Sequence, residues 1–182
     1  MVLIPIAREE WGNAAAIAFD RASKKKPGKG KIQSRKEGLL HCATIGALGE
    51  IAFSQMTGLP IDRNIYVGGD KYDFISNGMT VNVKTREWSG EKLEMHLFPD
   101  EPKKVDLFVL FRIGDDPKHI EFIGHIFSKD IIENYKPDLH DHLYGRKILV
   151  PREAFSDPKE TLALFRGGVD QTSHKDQVVS RN

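Results

Sequence analysis

The sequence has little that would place the protein outside a reducing compartment or in a membrane. It contains one cysteine, Cys42, and no long apolar run. A single cysteine cannot form an internal disulfide, which is typical of cytoplasmic proteins. No stretch approaches the roughly 20 apolar residues of a membrane-spanning helix, and the apolar start at 1–6 is too short for a secretory signal. We therefore expect a cytoplasmic protein (in the host cytoplasm if the source is viral) with no membrane association.

Zinc-site spacing is also missing from the sequence. His140, Asp141 and His142 form the one local cluster of ligand-type residues that we considered. They lie in a polar segment, and we interpret them as part of a solvated loop in preference to a metal site.

Length and composition are those of one globular domain. The chain has 182 residues, of which 40% are hydrophobic and 29% charged, enough for a sizeable core. We find no internal repeat and no linker. We predict a single domain over 1–182, with an N-terminal helix and basic loop at 1–36 and a frayed polar tail at 169–182.

The net charge of +1 hides a basic N-terminal region. Residues 1–36 contain nine Lys and Arg against three acids. Such a segment attracts polyanions, although a solvated loop is the alternative. The candidate nucleic-acid contacts in it are Lys24, Lys25, Lys26, Lys29, Lys31, Arg35 and Lys36.

A long helix is predicted from residue 36 or 37 to Thr57, because apolar residues recur there at three- and four-residue spacing and Gly58 is a natural stop. Glu50 is the one acid in its apolar part. A buried carboxylate is costly unless it is paired or bound to metal. Glu50 is therefore a candidate functional residue.

A β-hairpin is predicted at 72–86. Asn77-Gly78 is a strong two-residue turn signal between alternating apolar residues. Asp73 opens the first strand. Asn82 and Lys84 are two apart on the second strand and therefore share a face. The hairpin thus brings an acid, an amide and a lysine onto one patch, where oxygen ligands suit Mg²⁺ and a lysine suits a phosphate.

The remaining pattern predicts an α/β fold with a mixed central sheet flanked by helices. A first helix is expected at 9–22 and a short strand at 65–67. Further strands are expected at 105–111, 121–127 and 146–150. Ser128 is the expected N-cap of a helix at 129–134, and Asp157 of one at 159–165. Asp106 is expected to have a capping or edge role at the start of its strand. His125 is expected to face a partner residue within the fold.

Glu50, Asp73 and Asn82-Val83-Lys84 together resemble the PD-(D/E)xK, or restriction-endonuclease-like, nuclease superfamily over roughly residues 36–155. The resemblance implies a metal-dependent DNA endonuclease. It implies Glu50, Asp73 and the Val83 carbonyl as ligands of Mg²⁺ (or Mn²⁺), and Lys84 as the catalytic lysine. A homodimer is expected, because cutting two strands needs two sites. Arg86 and Trp88 are expected at the mouth of the site.

Asn82 stands where the family has its second acid. Its carbonyl oxygen can still ligate a cation but brings no charge. Asp70 and Glu87 are acids close in sequence that would compensate, although Glu87 is expected on the opposite strand face from Lys84.

Three interpretations remain open from the sequence. The first is an active Mg²⁺-dependent DNA endonuclease, either selective for DNA structure, as a Holliday-junction resolvase is, or a small phage-type or restriction-type nuclease. The second is a catalytically weak or inactive DNA-binding module on the same fold. The third is an unrelated α/β protein in which Glu50, Asp73 and Lys84 form a structural ion-pair cluster.

Overall fold

The structure is a computed structural model that describes residues 2–24, 33–61, 72–87, 93–137 and 147–166. The strand expected at 65–67, the cluster at 140–142, Asp70, Trp88 and the tail at 169–182 lie outside these ranges. In chain order the elements are β1 (Val2–Pro5), α1 (Arg8–Lys24), α2 (Gln33–Thr57), β2 (Phe74–Ser76), β3 (Met79–Glu87), β4 (Glu94–Leu97), a 3-10 turn (Glu101–Lys103), β5 (Leu107–Ile113), β6 (His119–Phe127), α3 (Ser128–Asn134), β7 (Ile148–Pro151), a second 3-10 turn (Arg152–Ala154) and α4 (Pro158–Arg166).

The central sheet has five strands in the order β1-β6-β5-β3-β2. Strands β3 and β5 are parallel, and the other three neighbouring pairs are antiparallel. A second sheet consists of β4 paired antiparallel with β7. The described part of the chain is therefore a mixed α/β fold with helices against a mixed sheet.

Each face of the central sheet has its own core. Leu48 and Phe53 of α2 pack with Val81, Val83 and other apolar residues of the sheet on one face. Phe108 and Leu110 of β5 pack on the other face with residues of β4 and β7. Because side chains alternate along a strand, this division also sorts the polar residues of β3. Asn82, Lys84 and Arg86 lie on the face opposite α2.

The β2–β3 hairpin closes as the sequence predicts. Asn77 and Gly78 both have positive φ, at 51° and 76°, which is the type I′ geometry that matches strand twist. The turn pairs Ser76 with Met79 and Phe74 with Val81. This register fixes Asp73 just outside the paired part of the hairpin.

Helix α2 approaches β3 very closely at Gly49. A Cβ on Gly49 would overlap the hydroxyl oxygen of Thr85, and it would lie 3.3 Å from a methyl carbon of Val83. Glycine is therefore the residue that permits this contact. The contact holds the next residue, Glu50, against the strand that carries Lys84.

Two shorter strands, β1 and β4, were not expected from the sequence. The prediction of Ser128 as an N-cap was wrong: Phe127 is the cap residue, and no side chain caps the helix. The reason is that β6 runs directly into α3, which makes Ser128 the first helical residue and buries it. Asp157 does cap α4, since its carboxylate accepts the Lys159 N–H at 2.7 Å. Within the described ranges, no helix has the length and apolarity needed to cross a membrane.

Candidate active site

Asp73 is held beside β3, just past the end of its pairing with β2. Its backbone N–H donates to the carbonyl of Val81 at 2.9 Å. Its carboxylate accepts the backbone N–H of Val83 at 2.7 Å. Strand β2 pairs only with the first part of β3, and within the described ranges the Asp73 carboxylate is the acceptor for the Val83 N–H beyond that pairing. Asp73 is thereby fixed beside the Asn82-Val83-Lys84 segment.

Glu50 meets this edge from α2 and is buried, with a relative exposure of 7%. Arg21, in the last turn of α1, donates to both of its carboxylate oxygens, at 2.6 and 2.7 Å. Such a two-pronged pair is the strong form of an arginine–carboxylate interaction. It satisfies the charge of Glu50 in a site where an unpaired carboxylate would be costly.

The Lys84 side chain lies on the face of the sheet opposite α2. Its ammonium donates to Glu101 Oε2 at 2.5 Å. Glu101 comes from the 3-10 turn before β5, and its other oxygen accepts the Phe98 N–H at 3.1 Å. The lysine of the motif is therefore paired with an acid that follows it by 17 residues.

Val83 and Asn82 complete the edge. The N–H and C=O of one strand residue point to the same side of the strand, so the Val83 carbonyl is directed to the edge that Asp73 occupies. Asn82 is half-buried and lies on the Lys84 face of β3. The structure therefore brings the carbonyl oxygen of Val83 next to Asp73. It places Asn82 on the same face of β3 as Lys84.

The ionisation of Asp73 depends on its burial and on three neighbouring charged residues. Burial, followed by the nearby charge of Glu50, raises the pKa of Asp73 to about 7. The hydrogen bond from Val83 and the charges of Lys84 and Arg21 act in the opposite direction. Two carboxylates that disfavour joint ionisation in this way form a pair that a cation would stabilise.

Glu50, Asp73, Val83 and Asn82 offer oxygen atoms, the ligand type that Mg²⁺ prefers. Glu50, Asp73 and the Val83 carbonyl would hold it, Asn82 would add a neutral oxygen, and water would supply the rest, as Mg²⁺ commonly retains water. In the part of the chain that the structure describes, no group of three or more His, Cys, Asp or Glu residues could hold a metal ion. Arg21 would also have to release an oxygen of Glu50.

The basic residues expected to contact nucleic acid are only partly described. Arg86 is half-buried on the Lys84 face; its burial lowers its pKa, while the nearby charge of Glu101 opposes the change. Lys24 ends α1, and Arg35 and Lys36 lie in the first turns of α2. Lys25, Lys26, Lys29 and Lys31 fall outside the described residues.

Asp106 and His125 have structural roles of the kind that the sequence indicated, and Glu87 lies on the strand face that was expected for it. Asp106 accepts hydrogen bonds from the N–H and hydroxyl of Thr80, at 2.8 and 2.7 Å. His125 is buried, and its Nδ1 lies 2.7 Å from Thr161 Oγ1. Glu87 pairs with His41 of α2 at 2.6 Å, on the strand face opposite Lys84.

Sequence reasoning missed two residues of the cluster, Arg21 and Glu101. Arg21 was counted only within the basic N-terminal region, because helical spacing says nothing about which distant acid a helix will meet. Glu101 follows an apparent turn, Pro99-Asp100, and carries no spacing signal toward Lys84. Both contacts arise from the packing of separate elements on β3.

No protein-family model matches this sequence, and comparison with curated proteins and with solved structures finds no match either.

Proposed function

We propose that this protein is a divalent-cation-dependent DNA endonuclease with a restriction-endonuclease-like core of the PD-(D/E)xK type. The observation that carries the proposal is the position of Asp73. It binds the backbone of Val83, between Asn82 and Lys84, while the charges of Glu50 and Lys84 both act on it. A helix glutamate, a strand-start aspartate and a strand lysine at one sheet edge form the set on which such nucleases rely.

The residues would divide the work by their chemistry. Glu50, Asp73, Asn82 and the Val83 carbonyl would hold the cation. Bound Mg²⁺ or Mn²⁺ would neutralise charge on the scissile phosphate and activate water. Lys84 would donate hydrogen bonds to a phosphate oxygen or to the attacking water as negative charge develops.

We propose that the basic segment that follows α1 holds the DNA backbone. Lys24 follows Arg21, which binds Glu50, by three residues; at about 1.5 Å of rise per residue, the segment starts within one helical turn of the site. We assign phosphate contacts to Lys24, Lys25, Lys26, Lys29, Lys31, Arg35, Lys36 and Arg86. We further propose that the active form is a cytoplasmic homodimer, since two sites cut two strands.

Cleavage assays test the proposal directly. The purified protein is incubated with linear, supercoiled and four-way-junction DNA, each with Mg²⁺, Mn²⁺ or EDTA. We expect cation-dependent cleavage that Asp73→Ala and Lys84→Ala each reduce by about a hundredfold or more, with DNA binding retained. Asp115→Asn and Lys118→Ala, in the exposed turn between β5 and β6, are matched controls. Equal cleavage by all variants would show that the site has been misplaced.

An inactive DNA-binding module on the same fold is the second candidate. Asn82 in place of an acid and the two bonds from Arg21 to Glu50 favour it, since both lower the affinity of the site for a cation. DNA binding without cleavage under every condition would support this candidate. Loss of both binding and cleavage would instead indicate a structural ion-pair cluster.

A further inference from the structure

Glu101 forms an ion pair with the motif lysine, Lys84, and the resemblance to the nuclease family does not account for this pair. Its Oε2 lies 2.5 Å from Lys84 Nζ. Both side chains are partly exposed, at 28% for Lys84 and 21% for Glu101. Ion pairs of this exposure contribute little to folding stability. The pair therefore needs an explanation other than stabilisation of the core.

Glu101 is itself anchored before it reaches the lysine. Its Oε1 accepts the Phe98 N–H at 3.1 Å, and its own N–H donates to the Phe98 carbonyl at 3.0 Å. Pro102, which follows, is buried and fixes the turn. Because the Glu101 carboxylate is held in place, its ion pair restricts the Lys84 side chain, which would otherwise sample many rotamers.

The pairing leaves Lys84 able to act on a substrate. An ammonium group has three donors, and Glu101 uses one of them. The charge of Glu101 also acts on Arg86, two residues along the same face of β3. Lys84 and Arg86 together carry more positive charge than Glu101 offsets, which suits a phosphate oxygen.

We propose that Glu101 is a positioning residue for Lys84: it holds the ammonium group in one position at this edge of the sheet, where a scissile phosphate would meet it. This inference rests on the proposed function. It assigns Glu101 no contact with the substrate and no bond to the cation. Its effect on the reaction passes entirely through Lys84.

A double-mutant cycle in the DNA cleavage assay tests this role. Glu101→Gln keeps the shape and an acceptor for the Phe98 N–H but removes the charge that orients Lys84. We expect kcat to fall about ten- to a hundredfold with KM unchanged, because orientation matters only as the transition state forms. In the Lys84→Ala background, Glu101→Gln should change kcat no further. Glu101→Asp, which keeps the charge on a shorter side chain, should lie between the wild type and Glu101→Gln.

The control is Asp100→Asn, which alters an exposed acid of the same turn that is paired with Lys104. It should cleave like the wild type, and all variants should unfold at the same denaturant concentration. Wild-type kcat in Glu101→Gln, or an equal loss in both Lys84 backgrounds, would overturn the role of Glu101 alone. Absence of cleavage by the wild type with every DNA and cation would overturn the proposed function and this role with it.

Discussion

Thr85 of β3 lies directly against the backbone of Gly49 in α2, so closely that no side chain fits between them. Within the described residues, the buried Thr85 hydroxyl has no hydrogen-bond partner. The close approach of α2 and β3 therefore leaves the Thr85 hydroxyl without a hydrogen bond among these residues, which costs free energy. The proximity places Glu50, the next residue of α2, at the edge occupied by Asp73.

Gly49→Ala should separate α2 from β3. The added methyl overlaps the Thr85 hydroxyl, and overpacking of this kind costs about 1–3 kcal/mol. Gly46→Ala is the matched control, because a Cβ there meets nothing within 4 Å. That change should stabilise the helix by up to about 1 kcal/mol. Urea unfolding measures both, and equal shifts in the two variants would contradict the close contact.

Asp73 should make stability depend on pH. Its pKa is about 7 in the folded protein, against an ordinary value of 3.8, so the folded protein binds the extra proton. The stabilisation from this group is complete below about pH 4 and is lost as the pH rises to about 7. Asp73→Asn should therefore be more stable than the wild type at pH 8, by about 1–3 kcal/mol, and nearly equal to it at pH 4.

Denaturant unfolding in EDTA at the two pH values measures this difference. Asp115→Asn, in an exposed turn, is the control and should match the wild type at both. Saturating Mg²⁺ should stabilise the wild type at pH 8 and leave Asp73→Asn nearly unaffected, because cation binding to the ionised pair adds stability by mass action. A wild type that is more stable than Asp73→Asn at pH 8 in EDTA would contradict the assigned environment.

Asn82→Asp should strengthen cation binding. A carboxylate adds a charge that the amide lacks, and Mg²⁺ favours charged oxygen ligands. We expect roughly tenfold tighter binding by calorimetry and more cleavage at low Mg²⁺. In EDTA the same variant should unfold at lower temperature, since a third acid adds repulsion to Glu50 and Asp73. Unchanged affinity would mean that Asn82 does not face the cation, or that another acid, such as Asp70, already fills that position.

The basic segment should bind DNA backbone without reading sequence. Replacing five lysines with alanine should weaken binding about equally on all sequences, because a basic sequence rich in Gly and Pro offers charge to phosphates but no rigid fork that reads a base edge. The slope of log affinity against log salt should flatten by up to about 0.9 for each duplex phosphate that the variant no longer neutralises. Fluorescence anisotropy over a salt series measures both. An unchanged slope would mean that the DNA contacts lie elsewhere, at Arg86 and Trp88. The five lysines replaced by alanine in this variant are Lys24, Lys25, Lys26, Lys29 and Lys31.

Elements with strong local signals were predictable from the sequence. The Asn77-Gly78 hairpin, the helix carrying Glu50 and the apolar strand β5 all follow from turn chemistry and periodicity. Strand β1 was not predictable, because four residues that include Pro5 give no strand pattern and their partner lies more than 110 residues away. Arg21 and Glu101 were missed for the same physical reason. Which side chain meets Glu50 or Lys84 is decided by the packing of distant elements, and no local rule encodes it.

The register of the sheet also has a consequence for the order of assembly. Strands β2 and β3 pair within eight residues of chain, whereas β1 pairs with β6, from Val2 on Phe122 to Pro5 on His119. Loop closure over so long a segment is slow and entropically costly. During synthesis the hairpin and its helix can therefore form while β1 still lacks a partner. Strand β1 therefore stays unpaired until residues 119–122 of β6 have left the ribosome.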